Sequence, residues 1–260
     1  MIRALHFVWT ALAACAVLTA SVSPAHADDD YMVADWPLRL VDRPLVLGTN
    51  MFEVTGDTLQ INLSKDNVGD PISLAPDLFY GVTNRLTVGV THGRGICISG
   101  DGCNDTFYDD VTAEARFGLV HAGALALAAR GGVVVGSFDP FTAGVLIGMR
   151  GRVTLGNIAV LVDPSVYVGV LERDNIGDTL DIPVQLQYQL TEQNAMFLST
   201  GVNGPLDGFG DSVRVPVGLG ALFAVSRRFD VGGEFVFTNL AGKDGGVDGR
   251  LLIVRAALRL

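Results

Sequence analysis

Between Thr179 and Leu190 apolar and polar side chains alternate. Leu180, Ile182, Val184, Leu186, Tyr188 and Leu190 share one face, and Thr179, Asp181, Pro183, Gln185, Gln187 and Gln189 share the other. A period of two places successive side chains on opposite sides of an extended chain, whereas a helix would scatter them round its circumference. The run therefore predicts a strand with one apolar and one wet side. Similar runs lie at 72–82, 158–170 and 213–225, for example Val213, Val215, Val217, Leu219, Ala221 and Phe223 opposite Ser212, Arg214, Pro216, Gly218 and Gly220. Pro76, Pro164, Pro183 and Pro216 fall inside these runs and argue against each as a central strand, because proline cannot donate to a ladder.

The connections alternate in length. Short turns are expected at Thr83-Asn84, Val120-His121-Ala122, Leu155-Gly156, Thr191-Glu192-Gln193 and Ser226-Arg227, and longer acidic loops near 64–70, 95–109, 136–139, 171–178, 204–211 and 241–248. Five short and six long connections define about twelve antiparallel strands with both ends of the strand array on the short-turn side. Gly69-Asp70, Gly177-Asp178 and Gly210-Asp211 each open a strand that contains a proline and closes on a short turn, a hairpin repeat that favours an up-and-down meander.

Residues Ala4 to Ala27 carry no Asp, Glu, Lys or Arg, follow Arg3, and end Ala25-His26-Ala27 before Asp28-Asp29-Asp30. A positive start, an apolar middle and a small-x-small site predict a secretory signal over 1–27. Leu12-Ala13-Ala14-Cys15 offers an alternative, lipoprotein-type processing site. With this leader, alternating strands, short turns, long loops and a final strand reaching Leu260, the chain resembles bacterial outer-membrane β-barrels over 50–260. The resemblance is architectural. It implies an all-β fold, a closed up-and-down antiparallel transmembrane β-barrel of about 12 strands, with 28–49 as a periplasmic N-terminal extension and Trp36 at the inner rim. It also implies outer-membrane lipid, lipopolysaccharide and the barrel-assembly machinery as partners. Such barrels usually end in an aromatic residue, and Leu260 departs from that.

Two features favour a membrane barrel over a soluble one. Tyr80, Phe117, Tyr188, Phe223 and Phe229 gather near short turns, and Phe107, Tyr108, Phe138, Phe141 and Phe209 near long loops, as two interfacial girdles would require. Charged residues within strands fall mostly on the polar-face parity: Asp77, Arg85, Glu114, Arg116, Arg130, Arg150, Arg152, Asp163, Asp181, Arg214, Glu234 and Arg255. In a soluble barrel the apolar face would fill the interior and these charges would point outward.

Composition narrows the function. With 49% hydrophobic residues the 260-residue chain is not disordered, and its 32 glycines follow no collagen period. No apolar run in the body of the chain reaches the roughly 20 residues of a membrane helix. The net charge of −10 sits largely in the loops, which makes nucleic acid an unsuitable partner. The expected lumen holds seven Arg against five acidic residues, and small residues on the same face, among them Gly89, Gly118, Ala126, Ala128, Gly144, Gly218 and Gly220, favour open volume.

The reading is a porin-like passive channel for small hydrophilic solutes or ions. The alternative is a closed barrel acting through acidic surface loops, and a third reading is an outer-membrane lipid hydrolase. Neither His92, on the lipid-facing parity, nor His121, in a short turn, has a nucleophile at a recognisable spacing, so no enzyme activity is expected. No cofactor or metal constellation is present, and no loop carries a full calcium-ligand set. Cys97 and Cys103, the remaining thiols beyond the leader, are expected to form a loop disulfide in an oxidising compartment.

Overall fold

The computed structural model describes residues 32–55, 59–100, 103, 108–138, 141–172 and 177–260. The expected leader with Cys15, residues 28–31 of the expected extension, and the loop residues Asp101, Asp105, Phe107, Asp139, Arg173 and Asp174 lie outside them.

Fifteen strand segments form one sheet. They are β1 (Phe52–Thr55), β2 (Leu59–Asn62), β3 (Ile72–Leu74), β4 (Asp77–Thr83), β5 (Leu86–Ser99), β6 (Tyr108–Ala122), β7 (Leu125–Phe138), β8 (Phe141–Leu155), β9 (Ile158–Val162), β10 (Ser165–Leu171), β11 (Thr179–Gln189), β12 (Asn194–Pro205), β13 (Val217–Ala224), β14 (Phe229–Phe237) and β15 (Arg250–Arg259). Three pairs are halves of single wall strands, because β1 and β2 both pair with β15, β3 and β4 both pair with β5, and β9 and β10 both pair with β8 and β11. Twelve antiparallel strands thus go round among the described residues.

The wall closes where the first strand meets the last, with Glu53 opposite Arg259 and Val54 opposite Leu258. Phe52 and Leu260 exchange backbone hydrogen bonds of 3.0 and 2.9 Å. Closure leaves no edge, which a sheet in hydrocarbon requires. Twelve strands about 4.8 Å apart and tilted roughly 40° give a backbone radius of about 12 Å.

The prolines have local reasons. Pro76 and Pro164 stand at the breaks between β3 and β4 and between β9 and β10, where no ladder donor is demanded. Pro183 lies opposite the second break, and its carbonyl accepts the Asp163 N–H at 3.1 Å, while the Pro164 carbonyl accepts the Met149 N–H at 2.9 Å. Pro216 precedes β13, which begins at Val217 rather than Val213. The β6–β7 turn falls at Gly123-Ala124, later than the expected Val120-His121-Ala122, because Gly123 takes φ +54°, a left-handed conformation that Ala or His would hold under strain.

The apolar face is outside. Val133, Ile147, Leu155, Leu186, Leu198 and Leu219 are each at least 42% exposed, whereas Ala128, Ala159 and Ala195 on the other parity are 2% exposed or less. Tyr80, Phe117, Tyr188, Phe223 and Phe229 all point outward near the short turns, as do Phe138 and Phe141 near the long loops. This supplies an outer belt that water would not favour and lipid would. Ile147→Arg should therefore destabilise the barrel by about 2–4 kcal/mol in lipid vesicles, read by urea unfolding. An effect within about 0.5 kcal/mol, the usual result at a water-exposed surface, would place that face in water.

The described part of the expected N-terminal extension enters the short-turn mouth of the barrel. Residues 32–51 carry single 3₁₀ turns at Val33–Asp35 and Leu40–Asp42. Trp36, Leu47 and Met51 form a small apolar cluster with Phe79 of β4, and Val41 is fully buried. The physical reason is that these side chains find cover inside the mouth that a free extension would lack.

Candidate functional site

The lumen is built in tiers. In the middle tier Glu114 of β6 is held between Arg116 (2.5 Å) and Arg130 of β7 (2.5 Å). Asp163, in the break between β9 and β10, lies 3.5 Å from Arg130 and 3.6 Å from Arg150 of β8. Arg152, two residues along the same inward face, is only 6% exposed. On the opposite wall Glu234 of β14 receives Ser199 of β12 and Arg255 of β15.

The glycines explain how these arginines are aimed. Phe79 lies over Gly89 and Phe197 over Gly220, where any Cβ would collide with the ring. The Arg116 guanidinium stands 4.0 Å from the Phe79 centroid and that of Arg255 5.4 Å from Phe197, within cation–π range. Small inward residues here seat large neighbours and do not leave open volume: Gly132 makes room for Glu114, Gly144 for Tyr167, and Gly218 for Ser199 and Glu234.

The lower tier anchors the N-terminal segment. Both guanidinium nitrogens of Arg43 reach the Asp230 carboxylate, at 2.8 and 2.9 Å, and Arg259 donates to the same carboxylate at 2.6 Å and to Glu53 at 2.5 Å. Arg259 also stacks 4.7 Å from the Trp36 ring. Burial draws the Arg43 pKa below the usual guanidinium value, an effect that Asp230 opposes. The backbone of the segment is satisfied by the wall: Gln189 accepts the Leu40 N–H (2.8 Å), Thr154 donates to the Val41 carbonyl (2.9 Å), and Thr87 accepts the Leu47 N–H (2.7 Å). Arg227 donates to the Trp36 carbonyl (2.8 Å), and Arg39 to the Gly156 carbonyl (3.0 Å). These partners sit on β5, β8, β11, β14 and two short turns, so the segment crosses the mouth from wall to wall.

Above it lies a cavity of about 240 Å³ whose lining includes Trp36, Arg43, Arg116, Arg150, Arg152, Gln185, Gln187, Arg255 and Arg259. Across both tiers the guanidiniums of Arg43, Arg116, Arg130, Arg150, Arg152, Arg255 and Arg259 face the carboxylates of Glu53, Glu114, Asp163, Asp230 and Glu234, an excess of two positive charges.

The structure thus brings together Glu114, Arg116, Arg130, Arg150, Arg152 and Asp163 on one wall, and Glu234 and Arg255 on the other. Asp181 is half-buried higher on β11, opposite Asn203. Asp77 accepts the His92 backbone N–H at 2.9 Å. Its carboxylate also lies 4.0 Å from the His92 ring, whose side chain is 9% exposed and so is not presented to lipid as parity implied; a register shift between His92 and Gly95 disturbs the alternation there.

Two expected lumen residues lie elsewhere. Arg85 is exposed in the β4–β5 turn, and Arg214 is exposed at the long-loop end, bridged to Asn203 before β13 begins. The alternation continued past the strand ends in sequence but not in space. Asp230, Arg259 and Glu53 were missed, although Arg259 and Asp230 fall on the polar parity of their strands. Arg43 carries no such signal. Cys97 and Cys103 are joined, with Cα atoms 5.4 Å apart.

No protein-family model matches the chain, and no curated protein matches it by sequence. Among solved structures it is similar to the KdgM porin, with TM-score 0.53 and 8% identity over 80% of this chain and 98% of that one. It is also similar to the KdgM porin in complex with disordered oligogalacturonate, with TM-score 0.51 and 8% identity over 80% and 97%. The fold is that of a bacterial outer-membrane β-barrel. A weaker likeness, TM-score 0.47 and 10% identity over 85% and 98%, is to outer membrane phospholipase A from Escherichia coli. The barrel's outward apolar belt and inward guanidiniums are the arrangement that a lipid-embedded wall with a wet lumen demands.

Proposed function

We propose that this chain is a porin-like passive channel of a bacterial outer membrane, passing small hydrophilic solutes with a preference for anions. The observation that carries this reading is the guanidinium excess on the β6–β8 wall of the lumen, where Arg116, Arg130, Arg150 and Arg152 face Glu114 and Asp163. Positive groups in a confined low-dielectric bore favour anion entry over cation entry. The likeness to porins supports it at the level of fold. The short-turn mouth is then periplasmic and the acidic loops face outward.

The reading predicts discrete conductance steps in a planar bilayer and an anion-directed reversal potential across a salt gradient. Replacing Arg130 and Arg150 by Ala should move that potential toward cation preference, because Glu114 and Asp163 then lose their compensating charges. An unchanged reversal potential would remove both arginines from the selective constriction. Residues 32–51 favour a second reading, a closed barrel acting through its loops, since they occupy the mouth. A demonstrably inserted but silent barrel would support it.

A further inference from the structure

The cavity above the N-terminal segment is lined by two residues that each carry a buried polar atom with no hydrogen-bond partner among the described residues, Trp36 Nε1 and Gln187 Oε1, and by Arg150, whose Nε lies 3.6 Å from an Asp163 carboxylate oxygen. All three residues line the same 240 Å³ space. Gln187 is held in orientation because its Nε2 donates to Gln185 Oε1 at 2.6 Å, which leaves Oε1 as the unpartnered end of the amide. Trp36 Nε1 is a donor and Gln187 Oε1 an acceptor. A buried polar atom left unpaired costs about 1–3 kcal/mol, so a site that leaves two on residues of one cavity is complementary to a ligand that supplies their partners.

The chemistry specifies that ligand. Trp36 calls for an acceptor, and the positive charge of Arg116, Arg150 and Arg152 in the lining makes a carboxylate the fitting one. Gln187 Oε1 calls for a donor, which a carboxylate lacks and a hydroxyl provides. The volume lies just below the roughly 300–1,000 Å³ of drug-sized sites, so the molecule is small. We propose that this cavity is a binding site for a small hydroxycarboxylate, and that the N-terminal segment is part of the site through Trp36. The proposal rests on the reading of the lumen as a solute path and names the solute class that pauses there.

The test is isothermal titration of the folded barrel in detergent with sodium gluconate, with glucose and inorganic phosphate in parallel arms. Gluconate should bind, phosphate about tenfold more weakly, and glucose not measurably. Gln187→Leu and Trp36→Phe each delete one of the two unpartnered atoms without touching a charge, and Phe keeps a ring under Arg259. Each should weaken gluconate binding by about tenfold, the counterpart of one lost hydrogen bond to an ionised or hydroxylated ligand. Heat-modifiable electrophoretic mobility selects folded preparations. No gluconate binding by wild type, equal binding of phosphate or glucose, or unchanged affinity in both variants would overturn the site. Conductance recorded on the same preparations separates the two readings. Steps without gluconate binding overturn the site and leave the channel, whereas binding on a silent barrel upholds the site and overturns the channel.

Discussion

Removing residues 32–47 should raise the single-channel conductance of the barrel severalfold. A wall of about 12 Å backbone radius leaves, after its inward side chains, a bore that one compact segment can fill. That segment reaches across it, from Arg39 on the Gly156 carbonyl to Leu47 on Thr87. The deletion leaves the backbone hydrogen bonds of the wall intact, since those joining this end of the chain to β4 begin at Asn50. What it removes is the apolar cluster of Trp36 and Leu47 with Met51 and Phe79, together with Arg43 and its ion pair. Single-channel recordings of wild type and deletion, both checked for folding by heat-modifiable mobility, decide the matter. Equal step sizes would show that the segment does not obstruct the current path. A silent wild type beside a conducting deletion would identify it as the element that closes the barrel.

Asp230→Ala should free the same segment without shortening the chain. Asp230 is 1% exposed and accepts from Arg43 and Arg259 together. Without it two guanidiniums face each other in a buried place, with Glu53 as the nearest carboxylate to Arg259. Breaking a buried pair by removing one partner costs about 3–5 kcal/mol because the stranded charge is uncompensated. The segment can escape that cost by undocking, whereas Arg259 sits within the closing ladder and cannot. Amide hydrogen exchange of Leu40 and Leu47 should therefore quicken by about two to three orders of magnitude. Exchange within the β14–β15 ladder should change far less, because its nine backbone pairs do not involve the carboxylate. Unaltered protection of Leu40 and Leu47 would show that the apolar cluster, and not the ion pairs, holds the segment.

Much of this molecule is legible without coordinates. Alternation is a local property, so Leu186 and Gln187 declare opposite faces whatever the rest of the chain does, and every strand repeats the statement. A lipid exterior then follows from the sense of the alternation, because only a bilayer places the apolar face outward and leaves charge such as Glu114 and Glu234 within. Prolines were harder to read. Pro183 is permissible only because Pro164 breaks the strand opposite it, and that pairing is 19 residues away in sequence.

The sequence by itself determined the all-β class, the approximate strand number, which residues face in where a strand runs without a register shift, and the pairing of Cys97 with Cys103. Tertiary structure alone decided what fills the lumen. Parity says that Arg255 points inward but not that Phe197, seated on Gly220, receives it. It says that Gly89 leaves room but not that Phe79 takes that room. Residues 32–51 have no period to read, and Arg43 meets Asp230 across 187 positions. Contacts of that kind depend on the radius and stagger of the closed wall, quantities that arise only when all the strands are in place.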